Sequence, residues 1–320
     1  MAKPVNATEN YGFRREEDRG FPPMVFAEIT NICNLKCIHC PYSYILKQKS
    51  YIPRHMELGI FKKIVDEISQ YKGTILRLVC DGEPMMHPDF LEIITYSRQK
   101  GISPLCLNTN GTLLEEVLAR EILQQNVEVV EVSLDAFTKD TYERIRLGAD
   151  FEKVVSNVET LIRLKKDLNS DTKIMVSIID QPEVSSEIDA FKAYWGDKVD
   201  QVITRTYTSI GGLVDHRKMA PCNDRERWPC PLLWTRVFIN VDGLIKFCVE
   251  DWLDHSVVGD IREESIKDAW QSEEYQKLRQ GHLRAEFWQN NHCRDCVDWP
   301  ARRWDYDYFY ALDKILKNKS

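Results

Sequence analysis

Three cysteines stand in a C-x3-C-x2-C array, Cys33, Cys37 and Cys40, within the stretch Thr30 to Tyr42. A short apolar run, Val25 to Ile29, leads directly into it. At this spacing three thiolates can face one centre from a single loop. Structural zinc is normally held by four protein ligands, and an electron-transfer iron–sulfur cube takes four cysteines. A cube held by three keeps one iron open, and an open coordination position is a place for chemistry. The alternative is a zinc loop whose fourth ligand lies elsewhere, with His39 as a candidate.

The rest of the first two-thirds of the chain alternates between two periods. Apolar, β-rich runs fall at Val25–Ile29, Ile75–Cys80, Pro104–Asn108, Val129–Leu134, Ile174–Ile179 and Val199–Thr204. Between them apolar residues recur at helical spacing: Leu58-Phe61-Ile64-Val65-Ile68, Phe90-Ile93-Ile94-Ser97, Leu113-Val117-Leu118-Ile122, Val154-Val158-Leu161-Ile162 and Ile188-Phe191-Tyr194. Pro88 and Gly101 bracket the second of these helices. Six β-then-α units predict parallel strands joined by right-handed crossovers. The class is α/β, either a partial (β/α)6 TIM-like barrel or a doubly wound sheet.

Polar motifs follow the first four strands: the cysteine loop, then Asp81-Gly82-Glu83-Pro84, Asn108-Thr109-Asn110-Gly111 and Ser133-Leu134-Asp135. In a barrel these strand ends share one face, where the βα loops build the site. Gly82 would permit close approach of backbone to a ligand, and the Glu83 carboxylate can accept hydrogen bonds from an ammonium group. Ser133 and Asp135 suit ribose hydroxyls, or a plain strand-end cap. Asn108 is a weaker candidate, and an Asn-Gly turn explains Asn110 without a ligand. Arg205, at the end of the sixth strand, would face the same site and could orient a hydroxyl or act as a base. Its high pKa makes it a poor base.

A second group, Cys230, Cys248, Cys293 and Cys296, lies beyond a Gly- and charge-rich stretch. Asp242-Gly243, between two apolar runs, predicts a hairpin that brings Cys230 and Cys248 together. Cys293 and Cys296 form a C-x2-C clamp. Four thiolates can hold zinc or a [4Fe–4S] cube. Cys80, Cys106 and Cys222 are read as bystanders, the first two as core residues.

The first array resembles the signature of the radical S-adenosylmethionine (radical SAM) superfamily, and Asp81-Gly82-Glu83-Pro84 resembles its GGEP motif with Asp81 in place of the first Gly. The resemblance implies a [4Fe–4S] cluster on Cys33, Cys37 and Cys40, with SAM on the open iron. It places His39 near the adenine and Glu83 at the SAM amino group. C-x12-G-x4-C followed by C-x2-C resembles the auxiliary-cluster module called SPASM, in its shortened twitch-type form. A second [4Fe–4S] cluster on the four later cysteines would follow. The spacing is similar to that of the inosamine dehydrogenase of aminoglycoside biosynthesis. By this resemblance a 5′-deoxyadenosyl radical abstracts hydrogen from a small polar, sugar- or cyclitol-like molecule, and the auxiliary cluster accepts an electron. An electron donor such as flavodoxin or ferredoxin is implied.

The expected organisation is an N-terminal extension (1–23), a core barrel (24–206), a linker (207–229) and a small α+β auxiliary-cluster domain (230–320). The chain has 320 residues, 43% of them apolar, enough for one large and one small domain. A net charge of −7, without a basic arm, speaks against nucleic acid as a partner. No apolar run reaches the roughly 20 residues that span a membrane, and residues 1–23 hold no apolar signal core. Ten cysteines in such a chain favour metal ligation in a reducing cytoplasm over disulfides. Three rivals remain: a peptide-modifying maturase, a redox-neutral decarboxylase or dehydratase, and a non-enzymatic zinc protein.

Overall fold

The structure is a computed structural model and describes residues 11–79, 81–215, 227–305 and 308–317. Cys80, Cys222, the first ten residues of the expected extension and the 216–226 part of the expected linker lie outside the described residues.

Six parallel strands form where the β-rich runs predict them: β1 (Met24–Ala27), β2 (Ile75–Leu78), β3 (Leu105–Thr109), β4 (Val129–Ser133), β5 (Lys173–Asp180) and β6 (Gln201–Thr206). Their order in the sheet is simply sequential, β6-β5-β4-β3-β2-β1. A doubly wound sheet reverses its order at a switch point; this one does not, so the architecture is the partial barrel. The two parities of each strand then have different neighbours. Val25, Ala27, Leu76, Leu78, Leu105, Leu107, Val130 and Val132 pack outward against the helices. Met24, Phe26, Ile75, Cys106, Val129, Met175 and Ile203 face inward as an apolar floor.

The helices cover the outer face as their periodicity requires. Leu58–Ile68 buries Phe61, Ile64, Val65 and Ile68, and Phe90–Gln99 buries Phe90, Ile93, Ile94 and Ser97. Each fully buried Ile or Phe contributes about 1.5–3 kcal/mol. The third stripe is rotated from its expected position. That helix runs Glu116–Gln124 and buries Ala119, Ile122 and Leu123, leaving Val117 77% exposed. The helix Tyr308–Lys317 carries no stripe recognised in the sequence. Its Phe309 and Leu312 join the inward floor of the barrel.

One step along each strand from that floor, the inward positions become polar: Arg77, Asn108, Glu131, Ser177 and Arg205. The site is built on this layer.

The Asp-Gly hairpin forms as β7 (Val237–Ile239) and β8 (Leu244–Lys246), antiparallel, with β9 (Val257–Asp260) added outside. Gly243 takes φ +86°, and a Cβ there would lie 2.8 Å from Cγ2 of Ile261, so the turn needs glycine on both counts. The hairpin does not form a sheet of its own. β7 pairs in parallel with β1, from Val25 opposite Val237 to Ala27 opposite Ile239, giving nine continuous strands. Among the described residues no helix is long and apolar enough to cross a membrane.

Candidate active site and cysteine centres

A cavity of about 370 Å³ lies at the carboxyl ends of the barrel strands. Cys33, Cys37, Cys40, His39, Gly82, Glu83, Asn108, Ser133, Asp135 and Arg205 all line it. With Ser177 and Ile179 of β5, residues from six strand ends thus converge on one space, as the barrel geometry demands.

The cysteine loop is fixed by bonds to its surroundings. The Cys33 N–H donates to the Tyr42 hydroxyl at 3.1 Å, Lys36 N–H to the Leu147 carbonyl at 3.0 Å and Ile38 N–H to the Ile145 carbonyl at 2.9 Å. The Cys33 sulfur accepts from Leu35 N–H at 3.5 Å and from Asn110 Nδ2 at 4.0 Å. Burial pushes the Cys33 thiol up to about 11 and raises Cys37 and Cys40 as well. Thiols in such a place ionise only beside a positive centre, such as a bound metal cation.

Gly82 has a different reason to be glycine from the one its motif suggests. A Cβ there would collide with the backbone of the cysteine loop, at the Thr30 carbonyl, at 2.5 Å from the Ile32 carbonyl and at 2.7 Å from Ile32 N. The close approach is between two loops of the protein, and Glu83 N–H donates to the Ile32 carbonyl at 2.9 Å. Glu83 itself is buried. Its Oε1 accepts from the Thr109 hydroxyl at 2.7 Å and Met85 N–H at 3.3 Å, and its Oε2 from Asn110 N–H at 2.7 Å. Burial raises its pKa, against the pull of these donors. Three donors occupy three of a carboxylate's roughly four acceptor positions. One position remains on Oε2.

Asp135 is also a framework residue in this structure. Its left-handed backbone, φ +61°, is uncommon outside glycine. The conformation lets Oδ1 accept from Ile179 N–H at 3.0 Å, while Oδ2 pairs with Arg146, whose Nε is 3.1 Å away. His39 Nε2 lies 3.4 Å from the same oxygen. Both oxygens thus have partners inside the protein, and Oδ1 has one donor, Ile179 N–H, as a strand-end cap would. Ser133 instead accepts from Asn108 Nδ2 at 3.2 Å.

Arg205 also belongs to a buried ion-pair network. Its guanidinium pairs with buried Glu131, Nε to Oε1 at 3.1 Å. Glu131 also takes Arg77 Nη2 at 3.0 Å, and Arg77 donates to Asn108 Oδ1 at 2.6 Å. A guanidinium held this way has no lone pair to accept a proton, which suits it to donating hydrogen bonds. Arg77 and Glu131 were not singled out in the sequence. The signal was present: each is a lone charge at an inward position of an otherwise apolar strand, Ile75-Leu76-Arg77-Leu78 and Val129-Val130-Glu131-Val132. Thr109 and Arg146 carried no such signal.

None of the four later cysteines lines the cavity, though Val249 and Glu250, next to Cys248 in sequence, do. Burial raises Cys248 well above the ordinary thiol range, and the charges of Cys296, Cys230 and Cys293 raise it further. The four side chains therefore share one locale. Asn290 Oδ1 caps the short helix Asn291–Arg294 by accepting from Cys293 N–H at 3.1 Å, and Cys230 N–H donates to His282 Nδ1 at 3.2 Å. Burial pushes His282 down to about 3, so it stays a neutral acceptor.

Comparison with known proteins agrees with this donor chemistry. The radical SAM superfamily matches residues 27–180, and the SPASM iron–sulfur cluster-binding domain matches residues 230–297. The chain carries a radical SAM domain followed by a SPASM domain. A SAM-binding [4Fe–4S] cluster, SAM and an auxiliary [4Fe–4S] cluster are the cofactors of these domains. Fe-coproporphyrin III synthase of Methanosarcina barkeri (strain Fusaro / DSM 804) is 30% identical over 124 residues, 39% of this chain and 30% of that relative. The chain thus spans less than a third of that relative's length. In fold it is similar to BtrN in complex with AdoMet and 2-DOIA, with TM-score 0.60 and 16% identity over 90% of this chain and 97% of that one. It is also similar to Streptococcus suis SuiB bound to precursor peptide SuiA, with TM-score 0.67 and 13% identity over 92% of this chain and 73% of that one.

Proposed function

We propose that this protein is a radical SAM oxidoreductase acting on a small polar, sugar- or cyclitol-like substrate. The observation that carries the reading is the pairing of two unlike cysteine sets. One, of three residues, lines a cavity with a polar layer of Arg77, Asn108, Glu131, Ser177 and Arg205; the other, of four, lies outside that cavity's lining. When bound, SAM on the first cluster supplies a radical that takes a hydrogen atom, and the second cluster supplies a one-electron acceptor. Flavodoxin or ferredoxin is the proposed class of reductant.

The protein's own residues do the rest. The free acceptor position on Glu83 Oε2 suits the SAM ammonium group, and His39 flanks the adenine. Arg77 and Arg205, locked by Glu131, present donors at fixed positions to substrate hydroxyls. Asp81 is the proposed proton acceptor. It lines the cavity, and burial together with the neighbouring Glu28 raises its basicity. The BtrN likeness supports a small ligand, since that structure holds AdoMet and 2-DOIA. The SuiB likeness supports a second reading, a peptide-modifying maturase, since that structure holds a precursor peptide.

The test is anaerobic turnover with SAM, reductant and a panel of polyols and aminocyclitols. The expected product has two hydrogens fewer than its substrate and forms alongside stoichiometric 5′-deoxyadenosine. An isomer, or loss of water or carbon dioxide, would overturn the oxidative reading. Turnover only on a peptide would move the protein to the second reading.

A further inference from the structure

Three donors outside both cysteine sets converge at the edge of the SPASM domain. A carboxylate oxygen of Asp251, a ring nitrogen of His255 and a ring nitrogen of His292 all lie within 4.8 Å of one another. No other group of three such donors is this compact among the described residues.

The three are unlike a chance surface cluster. Asp251 is buried, and its carboxylate is already oriented. Oδ1 accepts from Leu253 N–H at 3.1 Å, and Oδ2 accepts from Ser256 N–H at 2.6 Å and the Ser256 hydroxyl at 2.7 Å. A ligating carboxylate is typically held by such outer bonds, and Oδ1 keeps a lone pair. Neither imidazole has a hydrogen-bond partner among the described residues. The contacts they make are between rings: His255 with His292 at 6.4 Å between centroids, and Phe247 with His292 at 5.9 Å. Two unbonded imidazoles beside an oriented carboxylate are a ready donor set for a cation. The nearby Lys246 ammonium is turned to the Asp251 carbonyl at 2.6 Å and to Asp254 at 3.1 Å, which offsets its charge.

We propose that Asp251, His255 and His292 form a mononuclear site for a divalent ion of the zinc class, separate from both iron–sulfur centres. Two imidazoles and one carboxylate suit zinc better than magnesium or calcium, which take oxygen ligands. Bonds of about 2.0–2.2 Å bring the three donors onto one ion with small side-chain movement, and water completes the tetrahedron. His255 is exposed, which gives the ion a way in. Asp251 and His255 follow Cys248 on one loop, and His292 precedes Cys293 on the helix Asn291–Arg294, so the ion lies beside the auxiliary cluster without sharing a ligand with it.

The site does not depend on which reaction the protein performs, so its test reads metal and not turnover. Anaerobically reconstituted protein, stripped of loose ions on a chelating resin, is titrated with Zn²⁺. Zinc and iron are then counted together, and the zinc X-ray absorption edge reports the ligand type. The expected result is one zinc per chain with nitrogen and oxygen ligands. His255→Ala and His292→Ala should each weaken zinc binding roughly tenfold or more with iron unchanged. Failure to retain zinc, sulfur ligation of the zinc, or equal zinc binding in both variants would overturn the site. Loss of iron together with zinc in the exposed-residue variant, His255→Ala, would also overturn it, by making the imidazole part of the cluster.

Discussion

The two cysteine regions solve the same problem, holding buried thiolates, in opposite ways. The first takes three ligands from eight consecutive residues and borrows its rigidity from outside. Tyr42, Leu147, Ile145 and Asn110 all bond the loop, and Gly82 lets the next strand-end loop lie against it. The second draws four ligands from segments up to 66 residues apart, and short local devices position them: an Asn290 cap, an Asp242-Gly243 turn, a His282 acceptor. The first lines the cavity and the second does not. A loop-borne site held from outside can keep one position open. A site assembled from distant segments needs its metal to hold those segments together.

The comparison breaks most completely on the first site. Replacing Cys33, Cys37 and Cys40 by Ala should abolish reductive SAM cleavage and lower iron from about eight to about four per chain. Iron analysis and 5′-deoxyadenosine assay check this; undiminished cleavage refutes the assignment. Replacing Cys293 and Cys296 by Ala should cost a similar four irons, spare SAM cleavage and suppress oxidised product. The same variant should unfold at lower denaturant, by circular dichroism, because metal binding there contributes to folding. A folded variant that makes product at the normal rate would make the second site purely structural.

The polar layer gives the next effect. Glu131→Ala leaves Arg77 and Arg205 without their shared anion and should destabilise the protein by about 3–5 kcal/mol in equilibrium unfolding, the cost of an unpaired buried charge. A cost under 1 kcal/mol would mean the layer is open to water.

At the seam between the two regions, Glu28 Oε2 accepts from Val241 N–H at 3.0 Å and Oε1 from Asp81 N–H at 3.3 Å. Burial raises the Glu28 carboxyl to about 7 in the folded protein. A raised carboxyl favours the folded state fully below its unfolded pKa of about 4.5, and that advantage disappears as pH climbs through about 7. Stability should therefore fall between pH 5 and 8, by about 3 kcal/mol at most. Glu28→Gln should flatten that slope in denaturation curves measured across the range. A rise in stability over the same window would contradict it.

The smallest effect is on cofactor affinity. Glu83→Ala should weaken SAM binding by about 1.5–3 kcal/mol, the range for a hydrogen bond to a charged group. Equilibrium dialysis checks this, and unchanged affinity would confine Glu83 to bracing the Thr109 and Asn110 turn.

Much of this molecule is legible in its sequence because it is written locally. Period-two and period-3.6 patterns place six strands and the helices between them, and Asp242-Gly243 declares its own hairpin. The cysteine arrays announce donor chemistry by spacing alone. What was hidden depends on partners far away in sequence. Arg77 and Glu131 look like interruptions in apolar strands until the barrel brings them within 3.0 Å. Gly82 reads as a ligand-facing glycine until the backbone of Ile32 is seen against it. Asp135 looks free until Arg146 and the Ile179 N–H take its oxygens. Val117 belongs to a plausible stripe, yet the helix starting at Glu116 turns it to solvent.

The parallel pairing of β1 with β7 has one more consequence. Cutting the chain after residue 229 would remove β7 and leave the β1 edge unpaired, a row of bare N–H and C=O groups next to the cysteine loop. Such an edge invites pairing with another molecule. The barrel cannot be prepared as a well-behaved fragment, and the SPASM hairpin cannot be exchanged as a bead on a string. Any engineered graft between relatives must carry both strands of that seam, or it will trade a catalyst for an aggregate.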